Sequence, residues 1–536
     1  PQPAQWREGK TGSKNEGERG QGWRTWRHYP WRQPPLPTSR ALAAAHNWAM
    51  PVKSILPTRC LCLALTLGSA AAFAQSRPTT LPEAVTAALA RARVPLEAVS
   101  LLVVDADGKS APRLSHRADA AMNPASVMKL VTTYAALDLL GPAYTWRTPV
   151  WLDGTVHDGV LKGNLSIAGQ GDPKLVLERL WLLLRRVQGL GIRKIEGDIV
   201  LDRSAFAVPD ASPADFDGEP LRPYNAAPDA LLVNFRSLVM TFSPDPGAGV
   251  ARIQYDPPLW GVLMPATVPL TSAKPGVCGD YRTALTADFS DPQAVRFAGS
   301  YAASCGEKVW PVAYADPKSY NARAIEGLWR SMGGQLSGRV RDGQAPITPA
   351  SFELSSPPLA DIIRDINKFS NNVMAQQLFL TLGRNAVGTT ERPDVRAFLP
   401  ATRENAQEAV RRWWHLRISP NDLPTLDNGS GLSRLERISA QGLARLLQVA
   451  YASPFMPELM SSLPIAGLDG TLKRSRAAPA SAHLKTGSLR DVTALAGYVL
   501  TSSGKRLCLV AIANHANAPA VRPAFDAVLE WAVSDN

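Results

Sequence analysis

The chain has 536 residues, with 58 Lys+Arg against 46 Asp+Glu and a formal net charge of +12. At roughly 100–200 residues per domain this length implies two to four domains. A hydrophobic content of 45% with 19% charged residues excludes global disorder, and five cysteines exclude a disulfide-framework mini-protein. The +12 raises the question of a nucleic-acid or anionic-membrane partner, and the answer depends on where the charge lies.

Residues 1–49 begin with Pro1, hold five of the fourteen Trp, and show neither period-2 nor period-3.6 patterning. They are expected to be a disordered, over-extended leader ahead of the true start. From Met50 the pattern is that of a secretory signal peptide, residues 50–74. Lys53 and Arg59 form the basic region, Cys60 to Ala72 the apolar run, and Ala72-Phe73-Ala74 the cleavage site before Gln75. The run is too short for a membrane-spanning helix, and no later stretch is long enough. The mature protein is therefore expected in the periplasm, soluble or loosely attached to the membrane. Residues 1–74 carry ten Lys/Arg against three Glu, which leaves 48 basic and 43 acidic residues for the remainder. A net +5 does not call for nucleic acid. It is compatible with a loose, salt-weakened attraction to an anionic wall or membrane surface. Cys60 and Cys62 leave with the signal peptide. Cys278 and Cys305, 27 positions apart in loop-like sequence, could form a disulfide in an oxidising compartment. Cys508 reads as a small buried hydrophobe. No CxxC or HExxH occurs, so neither metal nor cofactor is expected.

In chain order, Leu81–Ala90 has helical spacing, Val99–Val104 reads as a strand, and Gly108 turns the chain toward a second, more polar strand. Pro124 precedes an apolar segment from Ser126 to Leu140, stopped by Gly141-Pro142, which reads as a buried helix. From 147 to 319 short β-like runs (Leu161–Ala168, Gly197–Leu201, Arg252–Tyr255) alternate with Gly, Pro and Asp turns, predicting an inserted, mainly β region. Helical patterns return at Ala322–Met332, Leu359–Phe369, Val373–Leu382 and Glu404–Trp414. Three strands follow, Ala482–Thr486, Thr493–Leu500 and Arg506–Ala513, and a helix, Phe525–Val533, closes the chain. Strands at both ends of the chain suggest one sheet built from both termini.

Three short motifs carry chemistry. Ser126-Val127-Met128-Lys129 stands at the start of the buried helix, where an i, i+3 spacing puts both side chains on one face. A serine is a weak nucleophile and needs a base; a lysine serves once desolvation or positive neighbours lower its pKa. Ser370-Asn371-Asn372 lies between two helical segments and offers a hydroxyl and a carboxamide. Lys485-Thr486-Gly487 lies on a strand that can pair with an extended substrate, with Gly487 permitting close backbone approach. Each pattern also recurs by chance: Ser502–Lys505 in a turn, Ser319–Asn321, and Lys10–Gly12 in the leader. Only Ser126, Ser370 and Lys485 follow the order helix start, interhelical loop, strand.

That ordered trio resembles the penicillin-recognising serine enzymes. The 244 positions between Ser126 and Ser370 resemble, within that group, the class C low-molecular-weight penicillin-binding proteins. These are the D-Ala-D-Ala carboxypeptidase/endopeptidases of peptidase family S13, the penicillin-binding protein 4 type. The stretches Gly169–Pro173, Pro223–Ala226, Leu231–Phe235 and Asp427–Ser433 share the likeness, which runs from about residue 80 to the end. It implies an α+β fold, in which a β-lactamase/transpeptidase-like domain (75–146 and 320–536) has an antiparallel sheet, flanking helices and an all-α cluster. A mainly β insertion (147–319) interrupts it. It also implies Ser126 as nucleophile, Lys129 as base, Ser370 as proton relay and Asn372 as holder of the acyl chain. Lys485 and Thr486 would bind the terminal carboxylate, Gly487 would allow close approach, and Ser488 would supply an oxyanion N–H with Ser126. The implied partners are peptidoglycan stem peptides and cross-links, with β-lactams as covalent inhibitors. The alternatives are a serine β-lactamase and a catalytically vestigial wall scaffold. Asp172 and Asp427 are expected to be structural, and His483 is left without a role.

Overall fold

The computed structural model describes residues 80–271, 278–386 and 399–535. The leader, the signal peptide, Cys60, Cys62 and Lys10 lie outside them. Within them the architecture is the expected α+β one.

A five-stranded antiparallel sheet runs in the order Ala482–Leu489, Val492–Leu500, Arg506–Asn514, Val99–Asp105, Leu114–His116. The N-terminal strand Val99–Asp105 pairs along its whole length with Arg506–Asn514, so both ends of the chain do build one sheet. Alternation explains why these strands are apolar on both faces. Val99, Leu101 and Val103 point one way, with Leu507, Leu509 and Ala511, into a core closed by the helices Glu83–Ala92 and Arg522–Val533. Leu102 and Val104 point the other way, with Cys508, Val510 and Ile512, onto the helical cluster. That cluster surrounds the helix Lys129–Leu140, whose first nine residues are all buried. Around it pack the helices Leu359–Phe369, Asn372–Ala386, Arg403–Arg417 and Ala440–Tyr451.

The insertion has its own core. A mixed seven-stranded sheet is centred on the hairpin Arg147–His157 and Val160–Ala168. A four-stranded antiparallel sheet (Lys308–Ala313, Ser237–Asp245, Val250–Asp256, Thr267–Pro269) forms a second unit. Two features correct the sequence reading. Leu177–Gly189 is an amphipathic helix that buries Leu180, Leu183, Leu184 and Val187, inside what read as β sequence. The insertion also extends past 319. Tyr320, Ala324, Ile325, Leu328 and Trp329 of the helix Pro317–Ser331 belong to its core, and Gln335–Leu336, Val340–Asp342 and Phe352–Ser355 pair into its sheet. The chain re-enters the catalytic core at Leu359 rather than at 320. These last strands are two to four residues long, too short to carry a readable period.

The insertion is clamped to the helix Asn372–Ala386. Gln377 accepts from the Asp229 N–H through Oε1 (2.9 Å) and donates to its carbonyl through Nε2 (2.8 Å). Lys174 pairs with Asp365 at 2.5 Å. Cys278 and Cys305 are bridged, and Cys508 is a buried free thiol. Among the described residues, no helix is long and apolar enough to cross a membrane. A chain produced from Gln75 to Asn536, denatured without reductant, should titrate one thiol with a disulfide-exchange reagent. Three thiols would refute the bridge.

Candidate active site

The turn that carries Ser126 is made by strain and close packing. Ala125, immediately before Ser126, has φ 46. Residues Ala125–Met128 form one 3-10 turn, and the α-helix begins only at Lys129, so the expected single helix is two segments. The turn is tied down by an asparagine pair. Asn123 N–H donates to Asn514 Oδ1 (2.8 Å), Asn514 Nδ2 donates to the Asn123 carbonyl (2.9 Å), and Asn123 Oδ1 accepts from Ala125 N–H (2.9 Å). Two glycines let other chain segments touch it. A Cβ on Gly487 would lie 2.4 Å from the Pro124 oxygen, and one on Gly431 would lie 2.0 Å from the Ala125 oxygen. No side chain fits either gap, so glycine is required at both positions.

Four elements bring the anticipated residues together. Lys129 Nζ donates to Ser126 Oγ (3.0 Å), to Asn372 Oδ1 (2.6 Å) and to the Ser430 carbonyl (2.5 Å). Lys129 has no exposed surface. Burial, reinforced by the charge of Lys485, holds its ammonium well below the ordinary lysine range. Ser370 caps the helix Leu359–Phe369 in the left-handed conformation (φ 57). Its Oγ accepts from Lys485 Nζ at 2.9 Å, and Lys485 also donates to the Thr486 carbonyl at 2.7 Å. Lys485 is fully buried, which brings it down to about 7. Asn372 opens the next helix. Its carbonyl oxygen faces Lys129, and its Nδ2 makes a long 3.4 Å bond to the Tyr224 carbonyl of the insertion. Thr486 Oγ1 donates to Thr471 Oγ1 (2.8 Å), and Ser488 is exposed. The strand Ala482–Leu489 is the sheet edge, with its outer side open beyond the bridge of His483 to Ile465.

A cleft of about 530 Å³ joins these groups. Ser126, Ser370, Asn372 and Ser488 line one side; Phe216, Asp217, Glu219 and Tyr224 of the insertion line the other. Asp217 accepts from the Tyr224 hydroxyl (2.9 Å) and from Asn225 Nδ2 (2.7 Å), so this wall is braced. Arg434 stacks over Phe216 at 5.2 Å and closes the cleft from the 427–434 segment.

The decoy motifs lie elsewhere. Ser319 and Asn321 sit within the helix Pro317–Ser331, and Ser502–Lys505 in a hairpin turn. Asp172 accepts from Lys174 N–H in a turn, and burial raises it to about 6. Asp427 pairs with Arg403 at 3.2 Å. His483 faces the Met460 carbonyl, 3.2 Å from Nδ1. Sequence reasoning missed Asn123, Asn514, Thr471 and Glu436, which belong to no readable motif. Tyr224 and Ser430 lie in two of the stretches that share the family likeness, but no role was assigned to either. Among the described residues, no group of three His, Cys, Asp or Glu is placed to hold a metal ion.

The sequence family described as the D-Ala-D-Ala carboxypeptidase 3 (S13) family matches residues 81–534. The chain is 26% identical over 405 residues to the D-alanyl-D-alanine carboxypeptidase DacB of Haemophilus influenzae, spanning 73% of this chain and 80% of that protein. It is 28% identical over 431 residues to a D-alanyl-D-alanine carboxypeptidase of an Actinomadura species, 76% of each chain. The crystal structure of penicillin binding protein 4 from Haemophilus influenzae superposes with a TM-score of 0.63 at 24% identity, covering 83% of this chain and 99% of that one. The same protein complexed with a β-lactam gives 0.59 at 23% over the same shares. These last two likenesses show the fold.

The buried Lys485 has a pH signature. Its pKa is lower folded than unfolded, so the unfolded chain binds the extra proton between about 7 and the ordinary lysine value, and stability rises with pH there. Urea unfolding at pH 7 and pH 9 should show a gain of roughly 1–2 kcal/mol from this group. Lys485→Met should flatten that part of the slope.

Proposed function

The chain belongs to the D-Ala-D-Ala carboxypeptidase 3 (S13) family, and from that premise we propose how this serine D-Ala-D-Ala carboxypeptidase performs its reaction. The reading is an exported DD-carboxypeptidase and DD-endopeptidase. It acts on peptidoglycan stem peptides and D-Ala cross-links through an acyl-enzyme on Ser126. The observation that carries it is the wholly buried Lys129 with Nζ 3.0 Å from Ser126 Oγ. A desolvated lysine kept low in pKa is neutral often enough to be a base beside a serine.

The substrate backbone pairs with the open edge of Ala482–Leu489, and its terminal carboxylate meets Thr486 and the charge of Lys485. Ser126 Oγ adds to the penultimate D-Ala carbonyl carbon as its proton passes to Lys129 Nζ. The oxyanion takes hydrogen bonds from the Ser126 and Ser488 N–H groups. The C–N bond then breaks, and the leaving amine receives a proton through Ser370, which Lys485 orients. D-Ala departs from a pentapeptide; from a cross-link, the second stem departs. Water hydrolyses the ester, giving up a proton within the Lys129–Ser370 pair and regenerating Ser126. A β-lactam acylates the same serine, but its ring remnant stays attached and obstructs water. The cleft wall offers carboxylates (Asp217, Glu219) and guanidinium groups (Arg434, Arg490), which suits a stem peptide with a charged side chain better than a small apolar drug. The compartment is the periplasm, with at most loose attachment to the membrane surface.

Fluorescent penicillin should label the wild-type chain and not Ser126→Ala. Purified enzyme should release D-Ala from a pentapeptide and split cross-linked dimers, with mass spectrometry following both products and β-lactam turnover remaining slow. Fast turnover without dimer cleavage would favour a β-lactamase. An unlabelled wild type would favour a vestigial scaffold.

Lys485 is also expected to govern the base. Its positive charge lowers the pKa of Lys129. Lys485→Met should therefore move the acid limb of the acylation rate to higher pH, and a limb that stays in place would contradict this.

A further inference from the structure

One buried acid beside the cleft has no part in the chemistry above. Glu436 is 0% exposed. Its Oε1 accepts from three consecutive backbone N–H groups, Asp427 (3.3 Å), Asn428 (3.2 Å) and Gly429 (2.9 Å). Its Oε2 is buried and makes no hydrogen bond to any described residue. The loop it gathers leads directly to the catalytic pair. The carbonyl of Gly429 accepts from Thr132 Oγ1 (2.6 Å), one turn along the helix from Lys129. The carbonyl of the next residue, Ser430, accepts from Lys129 Nζ (2.5 Å). Gly431 then abuts the backbone of Ala125 and Ser126.

We propose that Glu436 is a positioning residue for the Ser126–Lys129 pair, fixing the loop that presents the Ser430 carbonyl to Lys129 and, by its charge, setting the pH at which Lys129 releases its proton. The inference rests on the acyl-enzyme reading of Ser126. Fixing the loop needs only an acceptor at Oε1, because three N–H groups converge on one oxygen. The charge acts separately. An ionised carboxylate near Lys129 favours the ammonium, which cannot take the serine proton, whereas the protonated acid leaves the amine free. Burial raises Glu436 to about 7, so this carboxyl changes charge near neutrality, and its charged form pushes Lys129 back toward the ammonium. The charged groups around the pair are few. Asp427 lies in the gathered loop and is paired with Arg403 of the Arg403–Arg417 helix. Arg434 and Arg437 flank Glu436 in sequence, and Lys485 faces Lys129 from the sheet edge.

The two contributions separate by substitution. Glu436→Gln copies the shape of the protonated acid and keeps the Oε1 acceptor while removing the titration. Its rate of acylation by fluorescent penicillin, followed from pH 5 to 9, should show the acid limb displaced downward by about 0.5–1 pH unit, with a roughly threefold or greater rise between about pH 7 and 8, where the wild-type carboxylate is ionised. Glu436→Ala frees the loop, and its plateau rate should fall by about tenfold or more. The Gln variant should restore that plateau, with melting temperatures recorded for both. An unmoved acid limb in Glu436→Gln overturns the role, as does a wild-type plateau in a folded Glu436→Ala. If the Ala variant does not fold, the Gln profile alone decides. A wild-type chain that takes no label overturns the acyl-enzyme reading and this role with it.

Discussion

Everything at the site depends on taking one lysine wholly out of water. Lys129 sits at the first turn of a helix whose opening residues are all buried, and its ammonium has only protein oxygen atoms for solvation. An isolated buried charge is expensive enough that the group shifts toward neutrality instead. That shift is what a base for serine requires. The second buried lysine, Lys485, adds repulsion to desolvation. The site is thus a balance between two cations kept from water and a small set of acceptors, Asn372, Ser430 and Ser370, placed to hold them.

This balance explains why the fold surrounds a short turn so completely. The turn at Ala125 is strained, and it is held by Asn123 and Asn514 from the sheet, by Gly431 from the helical side and by Gly487 from the edge strand. Each contact is backbone to backbone or through a fixed amide, so little in the surroundings of Ser126 can adjust by rotamer change. The insertion contributes in a different way. It reaches the site through Tyr224 and Phe216 while remaining anchored at Gln377, so the cleft has a floor from one core and a wall from another.

Much of this was legible in the chain. The helix Leu359–Phe369 runs between the residues expected, because its apolar period is strong and Ser370 stops it. The sheet strands were legible because both faces are buried, so the runs are long and apolar. The motif residues were legible as short patterns, and the structure gathers Ser126, Lys129, Ser370, Asn372 and Lys485 at one site. Other features were not. The Leu177–Gly189 helix was hidden by surrounding turn sequence, although its Leu spacing is helical. The insertion's return strands are too short for periodicity. Glu436, Asn514 and Thr471 are ordinary residues by sequence; their importance comes from contacts that range from a single loop for Glu436 to almost the whole described chain for Asn514, and no periodic pattern encodes such contacts. Asn372 shows a subtler limit. Its identity was readable, but the direction its carbonyl faces was not.

The topology also governs timing. Ser126, Ser370 and Lys485 are far apart in the chain, and the strand Val99–Asp105 finds its partner only in Arg506–Asn514. The insertion, with a separate core, can settle while the rest is still being delivered N-terminus first. The turn before Ser126 cannot, because it is held by Asn514 and Gly487, which lie far along the chain from it. Contacts of such sequence separation form slowly. Until those segments dock, the turn before Ser126 lacks the asparagine pair and the close backbone contact that hold it. The same feature that fixes the turn, its dependence on far-off segments, also makes it the last part of its own surroundings to be completed.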